Sequence, residues 1–499
     1  MLKRALITFA FGACTTLAFA PFNYWIFALL CPAVLLFTLR HTTPKQAALL
    51  GWLFGLGFFG SGVSWVYVSI HTYGNTVAPL AALLTTVFCA ALALLFSIQG
   101  WAYQRFFSKR YAILGFAVVW LLFEWLRSWL FTGFPWLYLG YAAIDTPISP
   151  LASIGGVWLL SALVLSISLV LASFFYYNER RLSGFCTIAV LVIACSTFLL
   201  PKQWTYRAGE QIDIAILQPN IPQEIKWNSL YLEQIMTQYY KSTLPLIGDN
   251  VIIWPETAIP SLYPNVEAFF APLVARQKAA GGEIISGVPS KINDPEFPKG
   301  RRIHNSIYNL SQDSIYHKQR LVPFGEYIPW QQEFEDLFNF LNIPDFTFSL
   351  PKQVPQPLMD VGEFNFSTAI CYEIAYPELV REYSKKADVI LTLSNDTWFT
   401  GSIGPDQHFQ IARMRAIENN RWLVRSANNG ISAIVNPQGK VKHIAPRYVE
   451  AVLKGSVEPL QGLTPYQRMG NLPLIASYLM IAVFLISINS RRRPRITKE

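Results

Sequence analysis

The chain has 499 residues, of which 52% are hydrophobic, 15% aromatic and only 14% charged, whereas an ordinary soluble domain carries about 25% charged residues. A chain this apolar cannot cover a water-facing surface, so membrane segments are predicted, and disordered, collagen-like and coiled-coil classes are excluded. The formal net charge of +9 would suit a nucleic-acid partner if it formed one basic stripe, so its position along the chain decides its meaning.

Residues 1–202 hold 11 Lys/Arg against 3 Asp/Glu, residues 203–471 hold 24 against 27, and residues 472–499 hold 5 against one Glu. The excess charge therefore sits at the apolar ends. The middle block is slightly acidic and has no basic stripe interleaved with aromatics, which sets nucleic-acid binding aside.

Apolar stretches recur near 5–20, 23–39, 49–70, 78–98, 111–131, 152–175 and 184–200, with another near 472–489. Most are long enough to cross a hydrocarbon core. Lys3 and Arg4, Arg40 and Lys45, Arg105, Lys109 and Arg110, Arg180 and Arg181, and the tail from Arg491 to Lys498 mark every second connection as basic. The alternate connections near 21–22, 71–77 and 132–151 carry no Lys or Arg. Basic loops stay on the cytoplasmic side. The pattern predicts eight transmembrane helices, both termini cytoplasmic, and a block at 203–471 outside the cytoplasm, periplasmic in a bacterium. Lys3-Arg4, the following apolar run and Ala18-Phe19-Ala20 also fit a cleavable signal peptide. Pro21 directly after that site argues against cleavage, and either reading leaves the middle block outside.

Cys14, Cys31, Cys89, Cys186 and Cys195 fall in the predicted spans, where a thiol packs as a small apolar group. Cys371 is the one cysteine of the external block. A single thiol in an oxidising compartment is a liability unless it has a use. His304, His317, His408 and His443 lack metal-ligand spacing, so no metal is expected.

The external block alternates apolar strands with longer helical stretches. Strands are predicted at 212–219, 251–256, 283–290, 364–373 and 388–396, and helices at 228–243, 265–279 and 405–419. Residues 306–324 and 428–444 read as hairpins. Roughly 260 residues of this kind suffice for one α/β domain with a substantial core. Polar groups gather at the strand ends. Glu256 lies in Trp254-Pro255-Glu256, Lys318 follows a hairpin turn, and Cys371 ends an apolar strand before Tyr372 and Glu373. Taken singly, Glu256 could be a solvated turn carboxylate, Lys318 a surface charge and Cys371 core packing. Taken together they supply a carboxylate base, a fixed ammonium and a thiol, which suffice for acyl transfer.

WPE at 254–256, KQRLVPFGE at 318–326 and CYE at 371–373, in that order, resemble the carbon–nitrogen hydrolase (nitrilase) superfamily. With seven spans before and one after, the whole chain resembles the bacterial apolipoprotein N-acyltransferases, a membrane-bound family of that superfamily. QPNIPQEIKW at 218–227 and NDTWFTGSIGPDQHFQIARMRAIE at 395–418 extend the match. The resemblance implies an α-β-β-α sandwich and a Glu256–Lys318–Cys371 triad with no cofactor. It implies transfer of an acyl chain from a phospholipid to the N-terminal α-amino group of an S-diacylglyceryl-cysteine in an apolipoprotein, by way of a cysteine thioester. Cys371 would be the nucleophile and Glu256 the proton acceptor, while Lys318 would favour the thiolate and the oxyanion. Glu326 would orient Lys318. Glu373 would lie on the same strand face as Cys371 if the chain stays extended. Tyr372 and Trp227 match positions near the pocket, although ordinary loop packing also accounts for Trp227.

A soluble member of the superfamily would hydrolyse small amides or nitriles. Here the spans would hold the thiol near a leaflet surface, where both substrates are lipids. Trp398 and Phe399, in the loop at 395–410, would form an aromatic lid or else a structural loop. Glu124 and Arg127 lie in the fifth predicted span and would contact a lipid headgroup or form a simple i, i+3 ion pair. Two rival readings remain at this level: a membrane-anchored amidase with the same triad, and a transporter or scaffold carrying an inactive nitrilase-like domain.

Overall fold

In the computed structural model, the described residues are 1–173, 184, 188, 191–193, 195–201, 203–297, 300–312, 314–327 and 348–490. They form two compact units. One comprises 1–202, 401–418 and 464–499, and the other 203–400 and 419–463.

The first unit is helical. Its main helices are Leu2–Thr15, Ile26–Thr38, Pro44–Gly62, Ala78–Ala102, Ala112–Arg127, Ala152–Ser173 and Leu472–Ser490. Among the described residues, Ala78–Phe107, Ser149–Ser173 and Leu472–Ser490 are long and apolar enough to cross a membrane. Pro44–Gly62 and Val66–Tyr73 would add a fourth span as a pair bent by 58°. Within the predicted stretch at 184–200, residues 185–187, 189–190 and 194 lie outside the described residues. Helix Pro44–Gly62 starts where its sequence says it should: the Thr43 hydroxyl accepts from Gln46 N, the Gln46 side chain returns a bond to Thr43 N, and Pro44 needs no donor. It packs backbone to backbone on its neighbours. A β-carbon at Gly51 would fall 2.1 Å from the Phe96 carbonyl oxygen, and one at Gly57 would fall 2.3 Å from that of Phe9, the close approach small residues permit between membrane helices.

Residues 401–418 belong with these helices, although they lie between strands in sequence. Within the unit, Gln407 Oε1 accepts from the indoles of Trp136 at 2.7 Å and Trp65 at 3.1 Å. Glu418 Oε1 accepts from Val157 N at 2.8 Å. The polar side chains of helix Gly404–Asn419 thus accept from buried donors elsewhere in the unit.

The second unit holds two six-stranded sheets. Their strands are β1 Ile212–Gln218, β2 Val251–Ile253, β3 Glu283–Asn293, β4 Arg301–Asn309, β5 Ser314–His317, β6 Met359–Val361, β7 Phe364–Ile370, β8 Val389–Ser394, β9 Leu423–Ala427, β10 Ala433–Val435, β11 Val441–Ile444 and β12 Ala451–Val457. The first sheet runs β12-β1-β2-β3-β4-β5 and the second β11-β10-β9-β8-β7-β6. In each, three parallel strands (β1, β2, β3 and β7, β8, β9) are flanked by antiparallel ones. Ile214, Ile216, Val251, Ile253 and Ile285 from one sheet meet Phe366, Ile370, Val389, Leu391 and Leu393 from the other in one buried core. Trp254, Ile252 and Ile284 face outward, where Tyr239 of helix Leu232–Thr243 and Phe270 and Leu273 of helix Glu267–Ala279 cover them. Strands buried on both faces read as continuous apolar runs, which is how they stand in the sequence. Helix Pro377–Ser384 packs on β7. The two hairpins form as predicted, as β4–β5 and β10–β11.

Candidate active site

Glu256, Lys318 and Cys371 all follow the carboxyl ends of strands, the end at which open α/β sheets place ligands. β2 stops at Ile253, so Glu256 does not end the strand; it sits in the turn beyond it, next to Thr257 at φ +47°. That turn lies on β3: Gly287 N donates to the Pro255 carbonyl at 3.2 Å. Only a residue without a β-carbon lets the two backbones come this close. Lys318 comes directly after β5, and its N–H donates to the Asn305 carbonyl at 2.8 Å.

Cys371 does not continue β7. It opens a 3₁₀ turn, Cys371–Ala375, and has φ +51°. A non-glycine residue in the left-handed region is strained, and such strain gathers at functional sites. The turn also overturns the expectation for Glu373. The chain does not stay extended, so Glu373 does not share a strand face with Cys371. Its buried carboxylate turns back to accept from Ile370 N at 2.8 Å, Gln319 N at 2.5 Å, Arg320 N at 3.0 Å and the Tyr316 hydroxyl at 3.1 Å. Glu373 therefore ties the Cys371 turn to the segment carrying Lys318.

The Lys318 ammonium is buried between two carboxylates, 2.8 Å from Glu326 Oε1 and 3.7 Å from Glu256 Oε1. Burial would pull its pKa down, but Glu326, Glu256 and the Cys371 position more than offset this, and the net direction is up. Glu326 also accepts from Val322 N at 2.8 Å, which fixes its own carboxylate. Asn305, on β4, donates to Glu256 Oε1 at 2.8 Å and to Glu326 Oε1 at 3.0 Å. One amide thus spaces the two carboxylates that flank the lysine.

The Cys371 thiol is held protonated at rest. Burial and then the Glu256 charge push its pKa up, and Lys318 pulls it back only in part. An Asp396 carboxylate oxygen lies within 4.8 Å of Sγ and also raises it. Asp396 is paired with Arg425 at 2.7 Å, both buried. The arrangement can do one thing well: a neutral thiol beside a carboxylate loses its proton as it attacks, with a fixed ammonium alongside to take up developing negative charge.

The remaining predicted residues are placed as follows. Tyr372 packs edge-on to Tyr376 with ring centroids 5.2 Å apart. Trp227 is exposed, and it is its neighbour Lys226 that is buried. Trp398 and Phe399 lie in a 3₁₀ turn, Asp396–Phe399. Glu124 and Arg127 are buried in the helical unit, where Glu124 accepts from Leu139 N at 2.9 Å. Arg127 donates to the Leu137 carbonyl at 3.4 Å, with its guanidinium over the Phe59 and Tyr138 rings. Both fasten the segment 137–139. Asn305, Lys226, Asp396 and Arg425 were not singled out by the sequence. Asp396 and Lys226 stand inside the matching stretches, but nothing in their spacing separates them from surface charges.

Residues 11–170 match the family model of the apolipoprotein N-acyltransferase N-terminal domain, and residues 213–461 match that of the carbon–nitrogen hydrolases. The chain is 38% identical over 486 residues to the apolipoprotein N-acyltransferase of Pseudomonas syringae pv. tomato, covering 95% of each chain. It is 39% identical to that of a Pseudomonas aeruginosa strain over 96% of this chain and 95% of the relative. Among solved structures, a Saccharomyces cerevisiae member of branch 10 of the nitrilase superfamily aligns with 60% of this chain and 99% of its own, at 17% identity and a TM-score of 0.35. With two family models in sequence and full-length relatives well above 30% identity, the chain belongs to the apolipoprotein N-acyltransferases, the membrane-bound enzymes of the nitrilase superfamily.

Proposed function

We propose that the protein moves an acyl chain from a membrane phospholipid to the N-terminal α-amino group of an S-diacylglyceryl-cysteine in an apolipoprotein, the last step of lipoprotein maturation. The observation that carries this reading is the convergence of Glu256, Lys318 and Cys371 in a chain that matches acyltransferases from end to end.

In the first half-reaction Glu256 takes the proton from Cys371 Sγ, and the thiolate attacks the ester carbonyl of the phospholipid. The Lys318 ammonium and backbone N–H groups after β7 stabilise the tetrahedral oxyanion. Glu256 returns the proton to the departing glycerol oxygen, which leaves a thioester on Cys371 and frees a lysophospholipid. In the second half-reaction the α-amine attacks the thioester carbonyl and gives a proton to Glu256. The C–S bond breaks, and the thiolate regains its proton from Glu256. Glu326 keeps Lys318 in place through both halves. Two simpler steps replace one direct lipid-to-lipid transfer, so the kinetics are ping-pong.

The alternation of basic and uncharged loops supports eight spans in an inner membrane, with both termini cytoplasmic and the sandwich unit periplasmic. Trp398 and Phe399 are candidates for a lid over the acyl chain. The reading is tested by intact-mass analysis of the full-length protein after addition of phospholipid. An acyl adduct on Cys371 that hydroxylamine removes is expected, followed by triacylated product when a diacylated lipopeptide is supplied. An active protein without an adduct would overturn the thioester route, and release of free fatty acid alone would mean a hydrolase.

A further inference from the structure

Lys226 is a second cation at the general base, and the mechanism above does not use it. It ends the short helix Gln223–Lys226 in the loop after β1. The residue is 2% exposed, and its ammonium donates to the main-chain carbonyl of Glu256 at 3.1 Å. Among the described residues this carbonyl is the one acceptor it reaches. A buried ammonium with a single neutral partner is costly, and apolar packing alone would be served better by Leu or Met.

The loop that carries Lys226 is anchored at several points. Asn428 bonds Ile221 twice, donating to its carbonyl at 2.8 Å and accepting from its N–H at 3.1 Å. Gln223 Oε1 accepts from Asn395 Nδ2 at 2.9 Å. Asn395 directly follows β8 and precedes Asp396, so the loop is clamped to the turn beside the thiol. Lys226 therefore approaches Glu256 from a rigid support, on the main-chain side, while Lys318 and Asn305 hold its carboxylate.

We propose that Lys226 is a positioning residue for the general base: its ammonium fixes the turn at Glu256 and places a second positive charge behind that carboxylate. The proposal rests on Glu256 acting as the base. The charge is conditional. Burial lowers the Lys226 pKa to about 8, against the pull of the Glu256 charge. Glu256 itself faces Lys318 and Cys371, with the Glu326 carboxylate across Asn305 and Lys318. A positive charge behind the Glu256 carboxylate supports its charged form electrostatically, so the acid limb of the pH–rate profile should move up when that charge is removed.

The test uses full-length protein with mixed micelles of a labelled diacyl phospholipid, phosphatidylethanolamine and phosphatidylglycerol in parallel. The rate of Cys371 acylation is followed across pH for wild type, Lys226→Met, Lys226→Arg and Glu256→Gln. The Met variant should acylate about tenfold or more slowly, with a phospholipid KM within about threefold of wild type. Its acid limb should stand at higher pH, and the Arg variant should recover most of both. A Met variant with the wild-type rate and acid limb overturns the proposal. So does a slow Met variant whose acid limb is unmoved and which Arg fails to rescue, since that is the behaviour of a packing residue. Acylation at the wild-type rate in Glu256→Gln overturns the base assignment instead, and so separates the two failures.

Discussion

Glu256 rests directly on Gly287: a β-carbon built on the glycine would stand 2.6 Å from the Cα of Glu256 and 2.5 Å from the Thr257 nitrogen. Backbone atoms cannot yield as a flexible side chain does, so the turn itself would have to lift. Overpacking of this kind costs about 1–3 kcal/mol. A displacement of about 1 Å in a catalytic group costs about 100-fold in rate. Gly287→Ala should therefore stay folded, with a modestly lower Tm, and acylate Cys371 about 100-fold more slowly at nearly unchanged KM. Acylation close to the wild-type rate would show that the position of Glu256 does not depend on this contact.

Glu373 closes the site from the other side. Replacing it by Gln turns one accepting oxygen into a donor that faces backbone N–H groups of Ile370, Gln319 or Arg320. Each buried mismatch costs about 1–3 kcal/mol. Glu373→Gln should lower the Tm and abolish acylation together, because the Cys371 turn and the Lys318 segment lose their common tie. A Gln variant that keeps the wild-type Tm and acylation rate would show that these bonds do not hold the two segments together.

The sandwich was readable because its strands are buried on both faces: Val251, Ile252 and Ile253 announce themselves as an apolar run whatever surrounds them. Glu256, Lys318 and Cys371 were readable because they follow such runs. What local pattern could not show is how the chain departs from a strand once it ends. Cys371 at φ +51° breaks the alternation by which Glu373 had been placed beside it. Asn305 was invisible for a different reason. It is a polar residue inside β4, opposite Pro289, and its role depends on two carboxylates brought in from distant turns. Lys226 reads as a surface lysine beside a tryptophan, yet the lysine is the buried member of the pair and Trp227 is 42% exposed. Helix 404–419 was legible as a helix, but its membership of the helical unit was not, since Gln407 and Glu418 are satisfied by donors more than 200 residues away in sequence.

The resting thiol offers a direct electrostatic measurement. Burial comes first among the causes that raise its pKa, Glu256 second, and Lys318 opposes them. Alkylation of Cys371 by iodoacetamide, followed by mass spectrometry on the resting enzyme, should keep rising through pH 9 without a plateau, because the thiolate is the reacting form. Glu256→Gln should alkylate faster than wild type at pH 8. Lys318→Met should alkylate more slowly. If Glu256→Gln alkylates no faster, the Glu256 charge does not hold the proton on the thiol.

Arg415 and Glu418 form an ion pair at 3.1 Å within the helical unit, and neither side chain is exposed to solvent. Glu418 also accepts from Val157 N at 2.8 Å, and Arg415 donates to the Tyr141 hydroxyl at 2.9 Å. Taking one partner away leaves the other charge buried and unpaired, at a cost of about 3–5 kcal/mol. Taking both charges away removes the desolvation penalty along with the attraction, and can be close to neutral. The Val157 bond needs only an oxygen, which Gln supplies as well as Glu. Glu418→Met should therefore lower the Tm of the detergent-solubilised protein by about 10 °C. Arg415→Met combined with Glu418→Gln should melt within about 4 °C of wild type. If the double variant fell as far as the single one, the loss would lie in packing around helix 404–419, not in the uncompensated arginine. If neither variant moved the Tm, the pair would contribute nothing to holding this helix among the others.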